Sequence, residues 1–91
     1  MAVTVKLQTQ LRPAAGNATE AQVEGGTVGE ALDSLYAQHA ELRERISDDS
    51  GGLRRFVNVY IGGEDIRFLD GLETPVSDGD ELTILPAVAG G

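Results

Sequence analysis

Gly90 and Gly91 close the sequence, after a strand-like run, Glu81-Leu82-Thr83-Ile84-Leu85, and the stretch Pro86-Ala87-Val88-Ala89. A free carboxylate on a bare diglycine is a chemical handle. Without a Cβ the backbone reaches φ values barred to other residues and passes close to another protein's surface. An enzyme with a narrow slot can thread such an end and react at the Gly91 carboxylate. A frayed terminus also carries glycines, so the rest of the chain has to decide what the pair means.

Four other constellations invite a chemical reading, and each has a plainer one. Asp78-Gly79-Asp80 places two carboxylates around a glycine. A calcium loop needs further oxygen ligands at regular spacing, which are missing; a turn before the last strand accounts for the triplet. His39 is the single histidine. A general base needs an oriented partner and a nucleophile, and none can be argued, so His39 borders the apolar face of a helix or caps its end. Gly25-Gly26-Thr27 precedes a helix but lacks the spacing and lysine of a phosphate loop. Arg54-Arg55 is a short basic pair in a solvated loop or surface contact. The body therefore offers no catalytic constellation. A chain with a presentable carboxylate and no nucleophile reads as a substrate of enzymes, not as an enzyme.

Bulk properties agree. With 91 residues the chain suits one domain. It has no cysteine, hence no disulfide and no thiolate site of its own. Fifteen acidic residues against seven basic ones give a net charge of −8, which repels nucleic acid and permits electrostatic steering toward a basic protein. There is no apolar run near the ~20 residues of a membrane span and no leader-like start. A cytoplasmic protein that engages neither membrane nor nucleic acid is expected.

The elements that must hold the diglycine can be read from periodicity. Val3, Val5 and Leu7 alternate with polar residues as a half-buried strand. Turn residues fill 13–17, and Thr19, Ala21 and Val23 form a second strand hairpinned to the first. Thr27 and Glu30 make a capping box. Val28, Ala31, Leu32 and Leu35, with His39 as a candidate, then fall on one helical face. Leu42 and Ile46 either continue that face or form a separate short turn, and 47–52 is loop. Val57, Val59 and Ile61 give a third strand, Gly62-Gly63 a primed hairpin turn, and Ile66 and Phe68 a fourth strand. After an irregular stretch, 70–75, and a tight turn at 77–80, Leu82 and Ile84 belong to the last strand. One amphipathic helix on one face of a mixed sheet, flanked by two hairpins, is an α+β β-grasp of the ubiquitin-like kind. The first and last strands then lie side by side at the sheet centre. Pro86 marks where pairing stops, so the domain is 1–86 and the tail 87–91, with a reach of about 17 Å if extended. Leu85 must face away from the helix if Leu82 and Ile84 face it, which makes it a docking contact beside the tail.

Asp78-Gly79-Asp80-Glu81-Leu82-Thr83-Ile84-Leu85-Pro86 followed by Ala87-Val88-Ala89-Gly90-Gly91 resembles the C-terminal signature of the ThiS/MoaD family of sulfur carriers. Arg55-Phe56-Val57-Asn58-Val59-Tyr60 and Glu64-Asp65-Ile66-Arg67-Phe68 resemble the central strands of its longer members, above all those that serve cysteine biosynthesis. The likeness covers nearly the whole chain and is weakest over 13–27. It implies that an E1-like enzyme adenylates Gly91 with ATP and Mg²⁺, that a sulfur donor displaces AMP to leave a thiocarboxylate, and that a synthase takes the sulfur. The synthase would be a PLP-dependent cysteine synthase or a thiazole or thiosugar synthase. In the cysteine route a zinc peptidase would free the product. ATP, Mg²⁺ and zinc would belong to these partners, and this chain would bind no cofactor or metal. Val88, Ala89 and Gly90 would line the partner's channel, and Arg12 matches a family position near the activating enzyme. Other readings remain open: a ubiquitin-like modifier joined to lysines through Gly91, the small subunit of molybdopterin synthase, or a plain binding module.

Overall fold

A computed structural model of the chain describes residues 2–50, 52–55 and 57–86. Strand β1, Ala2–Leu7, turns Val3, Val5 and Leu7 inward, as its alternation requires. It pairs antiparallel with β2, Glu20–Glu24, in a register that sets Val3 opposite Val23 and Val5 opposite Ala21. Between them lies a 3-10 turn, Arg12–Ala15, with Pro13 in its first turn. It ends on Gly16 and Asn17, both left-handed at φ 65° and 67°, a conformation open to glycine and tolerated by asparagine. Leu11, Ala14 and Ala15 tuck beneath into the core.

Helix α1, Val28–Gln38, starts as the capping box demands. The Thr27 hydroxyl accepts the Glu30 N–H at 3.2 Å. The Glu30 carboxylate reaches one residue past the usual target and accepts the Gly26 N–H at 2.7 Å. Gly25 is required by contact: a Cβ there would lie 2.7 Å from the Ala31 nitrogen. The helix buries Val28, Ala31, Leu32, Leu35 and, beyond the sequence reading, Tyr36, whose hydroxyl meets Ser47 Oγ at 2.6 Å. His39 caps the helix end and is only half-buried. The open alternative for Leu42 and Ile46 resolves as a separate short helix, α2, Glu41–Ile46, which buries both.

Strand β3, Val57–Ile61, enters a turn in which Gly62 and Gly63 take φ 57° and 88°, as expected of a primed hairpin. The expected fourth strand through Ile66 and Phe68 is a correction. Strand β4 comprises only Glu64–Asp65, and Ile66–Phe68 is a 3-10 turn with Ile66 buried and Phe68 86% exposed. The Asp65 carboxylate accepts the Arg67 N–H at 2.8 Å, diverting a donor a strand would need. Arg67 then spends its guanidinium on the Val57 carbonyl at 2.8 Å and on Asn58 Oδ1. Side chains thus occupy the edge along which a longer β4 would have paired.

Strand β5, Glu81–Pro86, completes a five-stranded sheet in the order β2-β1-β5-β3-β4. It lies parallel to β1 and antiparallel to β3, so first and last strands are neighbours, with β5 central. The turn before it uses both carboxylates of Asp78-Gly79-Asp80. Asp78 Oδ1 accepts the Ala2 N–H at 2.9 Å, Asp80 Oδ2 accepts the Ser77 N–H at 2.8 Å, and Gly79 sits at φ 88°. The triplet is a turn that pins the start of β1.

Candidate functional site: the root of the diglycine tail

The central strand fixes where the C-terminal segment sets out. Leu82 and Ile84 of β5 are fully buried beneath α1, while Leu85, on the opposite face, is 37% exposed, as alternation requires. Leu85 also lines a shallow groove with Gln8, Thr9 and Gln10, the residues that follow β1. Parallel pairing places Leu7 beside Ile84, so β1 ends at the same pole of the sheet as β5. On the other flank Asn58 stands opposite Leu85, and Val57 opposite Pro86. Both backbone groups of Val57 are engaged elsewhere, its N–H with Arg54 and its carbonyl with Arg67, so the donor that proline lacks is not missed from this pair.

Arg12 belongs to this pole. Its Nε–H donates to the Leu7 carbonyl at 3.1 Å. The Leu7 N–H is already bonded to Thr19, so Arg12 takes the last carbonyl that β2 does not reach. The side chain is half-buried. The structure therefore brings two of the residues singled out in the sequence to one end of the sheet, Leu85 on β5 and Arg12 in the 3-10 turn bonded to the end of the neighbouring β1. Val88, Ala89, Gly90 and Gly91, with the proposed tail 87–91, lie outside the described residues.

The remaining candidates are structural. His39 ends α1. Gly25-Gly26-Thr27 is the strand-to-helix break with its cap. Arg54 bonds the Glu44 and Ile46 carbonyls at the close of α2. Among the described residues no three acidic or histidine side chains are grouped to hold a metal ion. Lys6, the single lysine, pairs with Glu20 at 3.0 Å on the outer sheet face. Its pKa is raised by the hydrogen bond to Glu20, then by the charges of Glu20 and Glu81. That face presents Glu20, Gln22, Glu24 and Glu81, in keeping with an acidic protein met by a basic partner.

Arg67 and Phe68 were not among the site residues named from the sequence, although Arg67 reaches Val57 and Asn58 at this pole. Asp65 two positions before Arg67 is the local signal for the turn that displays them.

Comparison with known proteins places these features in a family. The model of the ThiS family matches residues 5–91. The sulfur carrier protein CysO of Mycobacterium tuberculosis is 47% identical over 93 aligned residues, covering the whole of both chains. Small archaeal modifier protein 1 of Haloferax volcanii is 39% identical over 88 residues, 94% of this chain and 97% of that one. Among solved structures, the Amycolatopsis orientalis BexX/CysO complex superposes with a TM-score of 0.90 at 47% identity, covering 98% of this chain and 99% of that one. The ubiquitin-like β-grasp read from the sequence is thereby the observed fold. No helix among the described residues is long and apolar enough to cross a membrane.

Proposed function

This chain belongs to the ThiS family, and we propose that it is a sulfur carrier, charged and discharged by other enzymes through Gly91. The observation that carries the reading is the end-to-end likeness to a named sulfur carrier, and the central strand β5, which ends at Pro86 five residues before Gly91, supports it. The chain is a carrier, not a catalyst.

The chemistry follows from the end-group. A carboxylate oxygen is a poor leaving group. An E1-like enzyme therefore joins the Gly91 carboxylate to the α-phosphorus of ATP, held with Mg²⁺, and releases pyrophosphate. A sulfur donor attacks the acyl carbon, and AMP departs with the bonding electrons. The thiocarboxylate then delivers sulfur to a biosynthetic synthase. A PLP-dependent synthase acting on an activated serine, followed by a zinc peptidase, would make this a cysteine route. A thiazole or thiosugar synthase would use the same end. Gly90 supplies slimness, and Val88 and Ala89 offer backbone and small apolar contacts to the channel. The body, 1–86, holds 87–91 out. Leu85 and Arg12 meet the partner at the root.

Intact-mass analysis tests this directly. After incubation with ATP, Mg²⁺, an E1-like activating enzyme and a sulfide donor, the chain should show one oxygen exchanged for sulfur at Gly91. An unchanged mass, under conditions that convert a known carrier, refutes it. A modifier role has one supporting observation, the likeness to small archaeal modifier protein 1. It predicts Gly91 joined to lysines of other proteins, seen as branched peptides in cell extracts.

A further inference from the structure

Phe68 is the most exposed large apolar side chain among the described residues, at 86%, in a chain with only two phenylalanines. A single exposed apolar residue needs no special account, but this one is held on a built platform. Ile66 beneath it is buried. Asp65 caps the turn through the Arg67 N–H, and the Leu69 N–H returns to the Ile66 carbonyl at 3.0 Å. Thr74, the one buried polar residue described, accepts the Asp70 N–H at 3.1 Å and donates to the Gly71 carbonyl at 2.7 Å. The loop that carries Phe68 is tied down on both sides of it by these bonds.

Its place is equally specific. Strand β4 runs back along β3 toward Val57, the end where β5 leaves the sheet. Arg67, the neighbour of Phe68, grips Val57 and Asn58, the two residues paired with Pro86 and Leu85. Phe68 thus directly follows the residue whose side chain reaches the β3 partners of Pro86 and Leu85, on the side of β5 away from β1 and Arg12, and Leu85 is itself exposed. Glu64, Asp70 and Glu73 are exposed in the same segment, with Arg67 as its single cation.

We infer that Phe68 is the anchor by which the adenylating enzyme grips this carrier, inserting into an apolar socket rimmed by lysine or arginine beside the tail channel. The inference rests on the carrier reading above. A rigid aromatic with two rotatable bonds and a fixed mount gains contact area at low entropic cost, which is the profile of an interface hot spot. The acidic collar supplies orientation and on-rate against the basic rim.

The test is ATP–pyrophosphate exchange by an E1-like activating enzyme that adenylates a carrier of this family, with the full-length chain as varied substrate. Phe68→Ala should raise KM about tenfold or more, the loss typical of an anchoring aromatic, and leave kcat within about twofold. Phe68→Leu should recover much of the loss. Asp70→Lys should raise KM and flatten its dependence on salt. The melting temperature of Phe68→Ala should stay near that of the parent, since so exposed a ring contributes little to folding. Unchanged KM for Phe68→Ala overturns this inference alone. So does a fall in kcat at constant KM, or a defect confined to the sulfur-accepting synthase. No exchange with the unaltered chain overturns the carrier reading and this inference with it.

Discussion

Arg12 makes one bond that holds the fold and has a second, proposed role toward the partner, and a pair of substitutions separates the two. Its Nε–H closes the last carbonyl of β1, at the pole where β5 ends at Pro86. In Arg12→Ala the Leu7 carbonyl loses a charged donor in a partly buried setting. Discounted for solvent access, that bond is worth about 1 kcal/mol, and the lost stem packing adds a few tenths. A domain of this size shifts by roughly 4–8 °C per kcal/mol, so a fall of about 5–10 °C in melting temperature is expected. Arg12→Gln is the discriminating variant. Its Nε2 lies the same number of bonds from Cα as arginine Nε, so it can donate to Leu7 while the charged tip is gone. Calorimetry should therefore show most of the stability restored, while pyrophosphate exchange still shows a raised KM. The reasoning fails if Arg12→Ala melts within about 2 °C of the parent, a shift too small for a lost buried tie, or if Arg12→Gln restores KM along with stability.

Other expectations follow from the same structure. A residue added after Gly91 should abolish thiocarboxylate formation by intact mass without moving the melting temperature; full activity with the extension in place would defeat the mechanism. The open side of β2 is guarded by α1, with Gln38 Nε2 donating to the Gln22 carbonyl at 2.7 Å and Ser34 Oγ accepting the Glu24 N–H at 3.2 Å. Removing both in a Ser34→Ala, Gln38→Ala variant should expose that register to strand addition, with dimers appearing in light scattering at high concentration; a strictly monomeric variant would contradict this. Burial of the Tyr36 hydroxyl raises its pKa above the ordinary tyrosine value. The folded state therefore holds the proton more tightly than the unfolded one. The stability this brings is complete below pH ~10 and drains away as pH climbs through the folded pKa. Melting temperature against pH should fall faster in the parent than in Tyr36→Phe above that point, and parallel curves would deny it.

Period-two alternation in β1, β2, β3 and β5 was legible because each strand has one face against a helix and one against water. The helix start was legible because capping is local, confined to residues 26–30. What escaped were bonds between residues remote in sequence. Phe68 follows Ile66 with strand spacing, yet Asp65 and Arg67 pull the segment into a 3-10 turn, and Arg67 does so through Val57 and Asn58. Tyr36 continues a helical face already counted as full, and its burial depends on Ser47 beyond a second helix. At the site, Leu85 was placed by parity alone, because a strand's faces follow from its neighbours. Arg12 was placed by family likeness, and its hydrogen bond to Leu7 could not be read from residue type.

The stitching of Ala2 to Asp78 and Gly79 has a practical side. Strands β1 and β5 run in the same direction, so the amino end is moored at one pole and β5 ends, at Pro86, at the other, separated by a strand about 20 Å long. A fluorophore, affinity tag or solid support attached ahead of Ala2 would stand clear of whatever machine grips the far pole. Tethered in this way, single molecules would report whether the proposed loading and release at Gly91 take place.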